Sequence, residues 1–147
     1  MLTIVMGPSC AGKSTYIQEH FEKSIPVFDL FIYQQNLPHS LHGIMESYQR
    51  CADDLCDALK NRPTDDVILE HTLLKRIRRD WYMERIRQVY DGPIEIICLK
   101  PSMETLRHNS KQRFGTPDSD WVLQSSLDIL ELPTMDEGYT NIKIIEC

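Results

Sequence analysis

Apolar residues along this chain follow two rhythms. Runs of consecutive apolar residues, Leu2–Met6, Ile25–Phe28, Val67–Leu69, Ile94–Leu99 and Ile142–Ile145, have the length of strands. Being apolar at successive rather than alternate positions, they predict strands covered on both faces, the habit of a parallel sheet. Between them, helical spacing predicts helices at about residues 13–23, 41–60, 73–90, 103–113 and 119–131. Pro and Gly punctuate the joints, notably Pro26, Pro38, Pro63, Gly92-Pro93, Pro101, Pro117 and Pro133. Strand and helix alternate without a boundary, which predicts one α/β domain over residues 1–147 with right-handed crossovers. Segments 33–43 and 133–140 read as loops.

Composition narrows the partners. A net charge of −6 gives no overall attraction for polyanions, so a nucleic-acid contact would need a local basic patch. No apolar run approaches the roughly 20 residues of a membrane span. Five cysteines, odd in number and without a CxxC pair, fit reduced thiols. With no basic-then-apolar leader, a cytoplasmic protein that does not engage a membrane is expected.

The first strand runs into Gly7-Pro8-Ser9-Cys10-Ala11-Gly12-Lys13-Ser14-Thr15, and a helical stretch follows. This is the P-loop pattern GxxxxGK[ST] in its proper strand-to-helix setting. Gly7 permits the tight exit from the strand. Gly12 lets main-chain N–H groups approach phosphate oxygens. These amides form a nest at a helix N-terminus, where the dipole favours anions. Lys13 is placed to reach the β- and γ-phosphates, and Ser14 to offer its hydroxyl to Mg²⁺. ATP and Mg²⁺ are therefore the expected ligands. Cys10 lies inside the nest, where either bound nucleotide shields its thiol from alkylation or it is a small loop residue with an ordinary thiol.

A P-loop alone does not separate a kinase from a GTPase or a switch. In parallel α/β sheets ligands sit beyond the C-terminal strand ends, so the residues there are informative. Asp29 ends the second run, where it either activates an acceptor hydroxyl or caps the turn that follows. Glu70 ends the third, followed by His71 and Thr72; it binds Mg²⁺ through water, holds an acceptor group or, with Thr72, prepares the start of the next helix. Leu74, Ile77 and Trp81 recur at helical spacing, and most charges of Lys75-Arg76-Ile77-Arg78-Arg79-Asp80 read as a solvated face with an Arg76–Asp80 pair. After the fourth run, Arg107 and Lys111 share a helix face and Arg113 precedes a Phe114-Gly115 break. Residues 103–116 read as a lid bringing cations over the transferring phosphate and excluding water. No Asn-Lys-x-Asp segment reads guanine.

Taken together, GPSCAGKST, Asp29, Glu70-His71-Thr72-Leu73 and the lid from Thr105 to Arg113 resemble the small P-loop kinases, within them the polynucleotide 5′-hydroxyl kinase-like family. The resemblance implies a three-layer α/β/α P-loop NTPase fold, with a five-stranded parallel sheet of order 2-3-1-4-5 and a helical lid. It implies transfer of the ATP γ-phosphate to a hydroxyl on a polynucleotide 5′ end, a nucleoside or a small metabolite. Lys13 and Ser14 take the phosphate and Mg²⁺ roles, Asp29 matches the acceptor-activating Asp, and Arg107, Lys111 and Arg113 match the clamping cations of the lid. The chain departs from that family at several places, among them Glu70 where the third strand has an Asp and His108 near the first expected lid arginine. Leu30 and Ile32 stand where it has a second Asp and an Arg, and Gln112 stands where it has a lid arginine. Phe31, Tyr33, Gln34, Gln35 and Asn36 then suggest an aromatic, polar acceptor pocket. The same departures motivate a second reading, an ATP-binding regulatory protein with little or no kinase activity.

Overall fold

The computed structural model describes residues 1–147. Five strands, β1 (Leu2–Met6), β2 (Val27–Asp29), β3 (Val67–His71), β4 (Ile94–Lys100) and β5 (Asn141–Glu146), form one parallel sheet of order β2-β3-β1-β4-β5. The helices are α1 (Lys13–His20), α2 (Leu30–Gln34), α3 (Leu41–Asn61), α4 (Arg76–Arg87), α5 (Met103–Phe114) and α6 (Asp120–Asp128).

The two faces of the sheet follow from the period of two along a strand. Leu2, Ile4 and Met6 turn to one side, where Leu55 and Leu59 of α3 and Tyr82 and Ile86 of α4 pack on them. Val5 turns to the other side, onto Ile17 of α1. Burying each such side chain is worth about 1.5–3 kcal/mol. Every residue of β1 and β3 is buried, including Glu70 and His71 beyond the apolar run of β3. The edge strands β2 and β5 differ: each has a neighbour on one side only and several half-buried or exposed residues. The run Ile142–Ile145 thus makes an edge rather than an interior strand.

Local chemistry sets the helix starts. Ser40, Ser102 and Ser119 each accept a hydrogen bond from a main-chain N–H in the first turn of α3, α5 and α6, caps worth about 1 kcal/mol each. Helix α2 occupies part of the segment expected to be a loop. Asp29 caps it by accepting from Phe31 N–H at 2.9 Å. The second expected loop contains a 3-10 turn, Met135–Glu137.

That turn corrects the reading of α4. Arg79 is not on a solvated face: it is 1% exposed, while Ile77, assigned to the apolar stripe, is 71% exposed. The inward face instead carries Arg79, Tyr82, Met83 and Ile86. The Arg79 guanidinium meets the buried carboxylate of Glu137 along two edges, at 2.7 and 3.2 Å. It also donates to the Leu73 carbonyl at 2.9 Å, holding a turn in which Leu73 has a left-handed φ of 44°. Glu137 further accepts from Thr134 N–H at 2.8 Å and from the Tyr139 hydroxyl at 3.3 Å. The pair therefore has its hydrogen bonds satisfied while out of water. Glu137→Ala leaves the guanidinium buried without a counter-charge, and should lower unfolding free energy in urea by about 3–5 kcal/mol. The Arg79→Leu/Glu137→Leu double variant should lose less than the sum of the two singles.

Candidate functional site

Three strand ends and the lid helix enclose a cleft of about 630 Å³. The parallel register levels its floor. Met6 pairs with His71, and Asp29 pairs with Glu70, so the loop after β1 rises beside both carboxylates. Gly7 N–H donates to the Thr72 carbonyl at 3.2 Å, which fixes the loop where it leaves the sheet. No side chain fits at Gly7, since a Cβ there would lie 2.8 Å from the Leu99 carbonyl oxygen.

Between Gly7 and Thr15 the chain turns back on itself. Cys10 and Gly12 adopt left-handed φ angles of 68° and 94°. The first costs an L-residue about 1–2 kcal/mol. The result is a concave run of amides: the N–H groups of Cys10, Gly12, Lys13, Ser14 and Thr15 have no acceptor within the protein. Such a nest at a helix N-terminus fits an anion with several oxygens, and a polyphosphate satisfies it.

Lys13 folds over the same loop. Its Nζ donates to the Gly7 and Pro8 carbonyls at 3.0 and 2.9 Å. Burial pushes its pKa down from 10.5 to about 8, opposed by the nearby Glu70 and Asp29 carboxylates. An ammonium short of solvent and seated on two neutral carbonyls is one that phosphate oxygens would stabilise. The Ser14 hydroxyl donates to Glu70 Oε1 at 2.5 Å. Burial, with Asp29 beside it, raises the Glu70 pKa, against the lowering influence of the Ser14 hydroxyl and Lys13. One hydroxyl and one or two carboxylates suit Mg²⁺, which keeps most of its waters and shares phosphate oxygens. The residues present thus fit a Mg²⁺–nucleotide.

Other residues fall differently from expectation. Arg113 lines the cleft, its guanidinium 4.8 Å from the centre of the Phe31 ring and 5.2 Å from that of Phe114. Arg107 does not line it: two hydrogen bonds of 2.9 and 3.0 Å tie it to Asp120. Lys111 is exposed and also lies outside the lining. The lid residues that do face the cleft are Asn109, Gln112 and Arg113. A helix face repeats at i, i+3 and i+4, so Arg107–Lys111 and Asn109–Arg113 define different faces, and composition alone does not choose between them. Of the expected acceptor wall, Phe31 and Gln34 line the cleft, whereas Tyr33 turns away and donates to Asp54 at 2.7 Å. His71 is buried, its ring edge-on to Tyr48 and Tyr82 at 4.7 and 5.1 Å. Its Nδ1 accepts from Leu73 N–H at 3.2 Å. Burial, with the charges of Lys13 and Arg78, lowers its pKa to about 3, which favours the neutral ring. Asn109 is the residue that sequence reasoning passed over. Its Nδ2 donates to the Cys10 carbonyl at 2.8 Å, across 99 positions of chain.

The sheet order, the loop and the lid together define the fold of the small P-loop kinases. A family model described as an AAA domain matches residues 2–130, and the chain belongs to that family. Solved structures share the fold. A gluconokinase from Sinorhizobium meliloti 1021 superposes with a TM-score of 0.66 at 19% identity, covering 98% of this chain and 81% of that one. A chain of the Pnkp1/Rnl/Hen1 RNA repair complex gives 0.71 at 17% identity, covering 88% of this chain and 43% of that one. Kti12 of Chaetomium thermophilum, solved with ADP-AlF3, gives 0.62 at 15% identity, covering 99% and 89%.

The state of Lys13 makes the site sensitive to pH. The ammonium is charged below its pKa of about 8 and neutral above it. Bound phosphate favours the charged form, so binding above that pH takes up a proton. The Kd for Mg²⁺–ATP should therefore be flat below about pH 8 and rise above it by up to about tenfold per pH unit. Calorimetry across this range checks the slope. Lys13→Met should bind weakly at every pH and show no such rise.

Proposed function

We infer that this protein is an ATP- and Mg²⁺-dependent kinase acting on a hydroxyl acceptor. The observation that carries this reading is the meeting, in one cleft, of an anion nest with the side-by-side carboxylates of Asp29 and Glu70. ATP with Mg²⁺ supplies the γ-phosphoryl group, whose charge in transfer spreads over its equatorial oxygens. Lys13 and the loop amides from Cys10 to Thr15 hold the phosphates, with Gly7 and Gly12 keeping the backbone close and Pro8, Ser9 and Ala11 completing the turn. Ser14 and Glu70 are the residues that would hold Mg²⁺, Ser14 through its hydroxyl oxygen and Glu70 through water, and the metal would neutralise phosphate charge. One Asp29 oxygen is engaged by Phe31 N–H, leaving the other to accept the proton of the acceptor hydroxyl as its oxygen attacks the γ-phosphorus and the bond to the β-phosphate oxygen breaks, releasing ADP. Arg113, released from its aromatic rings, meets the charge that develops. Arg107 and Lys111 reach the phosphates only if the lid rotates and, for Arg107, the Asp120 pair opens.

The neighbours support phosphotransfer without agreeing on an acceptor, since one is a gluconokinase and another belongs to an RNA repair complex. A polynucleotide 5′ end, a nucleoside and a small metabolite are the acceptors to compare. The free thiols and the lack of any helix able to cross a membrane support action in the cytosol.

A second reading has its own observation. With Arg107 paired and Lys111 outside, Arg113 is the lid cation in the cleft, a sparse set for catalysis. An ATP-binding regulatory protein with little or no transfer would need no more. Incubation with γ-labelled ATP and 5′-hydroxyl RNA and DNA, nucleosides and sugars separates the two. The kinase reading expects label on an acceptor. It also expects Asp29→Asn to lower kcat by about 100-fold or more with ATP affinity nearly unchanged. Tight ATP binding with no labelled acceptor would instead establish the regulatory reading.

A further inference from the structure

We propose that Asn109 is a positioning residue for the phosphate-binding loop, making lid docking and nest formation a single event. The proposal rests on the phosphate-binding reading of residues 7–15, not on phosphotransfer itself.

Three observations converge on this side chain. Its amide donates to the Cys10 carbonyl at 2.8 Å, the hydrogen bond that joins the lid helix to the loop. Cys10 is the one residue of that loop with a Cβ and a left-handed φ, 68°. Its conformation is therefore the one most in need of an external hold. The Asn109 amide also sits over Gly12: a Cβ built there would lie 3.9 Å from the same Nδ2 atom. A single group thus bonds one left-handed residue of the loop and lies over the space beside the other.

The geometry explains what the contact does. A peptide unit has its C=O and N–H pointing in opposite directions. Drawing the Cys10 carbonyl toward Asn109 fixes the orientation of the peptide between Cys10 and Ala11. Ala11 N–H in turn donates to the Pro8 carbonyl at 3.1 Å, so this peptide is held from both ends. The amides that follow, from Gly12 to Thr15, are left directed into the cleft. Asn109 and Arg113 are four residues apart on α5, hence on one face. When the lid swings away, Asn109 leaves with Arg113, and the loop loses its hold. When the lid docks, the amides are set and the cation arrives together. A phosphate chain that needs the set amides therefore favours the docked lid.

The choice of Asn follows. The contact needs an N–H donor at a fixed short reach. Aspartate cannot donate when ionised and would repel both the carbonyl and a phosphate. Alanine removes the contact while preserving the helix.

The test compares wild type, Asn109→Ala and Asn109→Asp in two measurements. Calorimetry is run with Mg²⁺–ATP and with inorganic tripolyphosphate, a probe without base or sugar. Site-resolved alkylation of Cys10, read by peptide mass spectrometry, is followed in ligand-free protein. Asn109→Ala should weaken both ligands equally, by about 3- to 10-fold, and should accelerate Cys10 alkylation. Asn109→Asp should weaken them further, and part of that loss should return as pH falls into the carboxylate range. Loss for ATP alone, with tripolyphosphate and Cys10 unaffected, would make Asn109 a nucleoside contact and overturn the proposal. So would unchanged values throughout. If wild type binds neither ligand, the phosphate reading of the loop falls, and equal alkylation rates in wild type and Asn109→Ala would dispose of the clamp as well.

Discussion

The constraint on which this molecule turns is a backbone that leaves its hydrogen-bond donors unpaired. In a folded chain most main-chain N–H groups find an acceptor within the protein. Here, between Cys10 and Thr15, five do not. Holding them so needs a rigid foundation, and the sheet provides one. β1 is buried along its whole length between β3 and β4, and Gly7 is pinned by Thr72 and pressed against Leu99. Lys13 shares the constraint, because its ammonium has carbonyls for company in place of water. One anion with several oxygens would serve both loop and lysine.

Opposite walls of the cleft are built on different principles. The phosphate wall is main chain, set by strand ends and two left-handed turns. The acceptor wall is side chain: Asp29 and Glu70 from paired positions, then Phe31 and Gln34 from a short helix. Main chain is hard to change one atom at a time, whereas side chains on a five-residue helix are easily exchanged. The shared fold of a gluconokinase and a chain from an RNA repair complex is consistent with such a division. Phe31, 48% exposed, already receives a planar group, the Arg113 guanidinium.

Much of this architecture was legible from the chain because its signals are local. Continuous apolar runs marked the strands, and β1 matched residue for residue. The loop was legible because its glycines, lysine and serine fall at fixed offsets between a strand and a helix. Asp29 and Glu70 were found by position, as residues at strand ends. What escaped depends on distant partners or on short elements. Helix α2 has five residues, too few for a helical period to show. Arg79 looked like surface because its partner is 58 positions away, in a segment with no strand or helix periodicity to mark it as buried. The lid's inward face was misjudged because charge drew attention to Arg107 and Lys111, while the docked face carries Asn109, Gln112 and Arg113. An asparagine bonding a carbonyl 99 residues away leaves no local trace.

The family match stops at residue 130, before Glu137 and before β5. The residues proposed to hold phosphate lie within the matched span, yet the span is not self-sufficient. Trimmed there, the molecule would strand a guanidinium in its greasy interior, with the left-handed turn at Leu73 deprived of a braced neighbour. It would also uncover β4, turning the middle of a parallel sheet into a bare ladder ready to recruit strands from other chains. The C-terminal seventeen residues therefore act as a buttress, remote from the chemistry but needed to keep its platform soluble and upright.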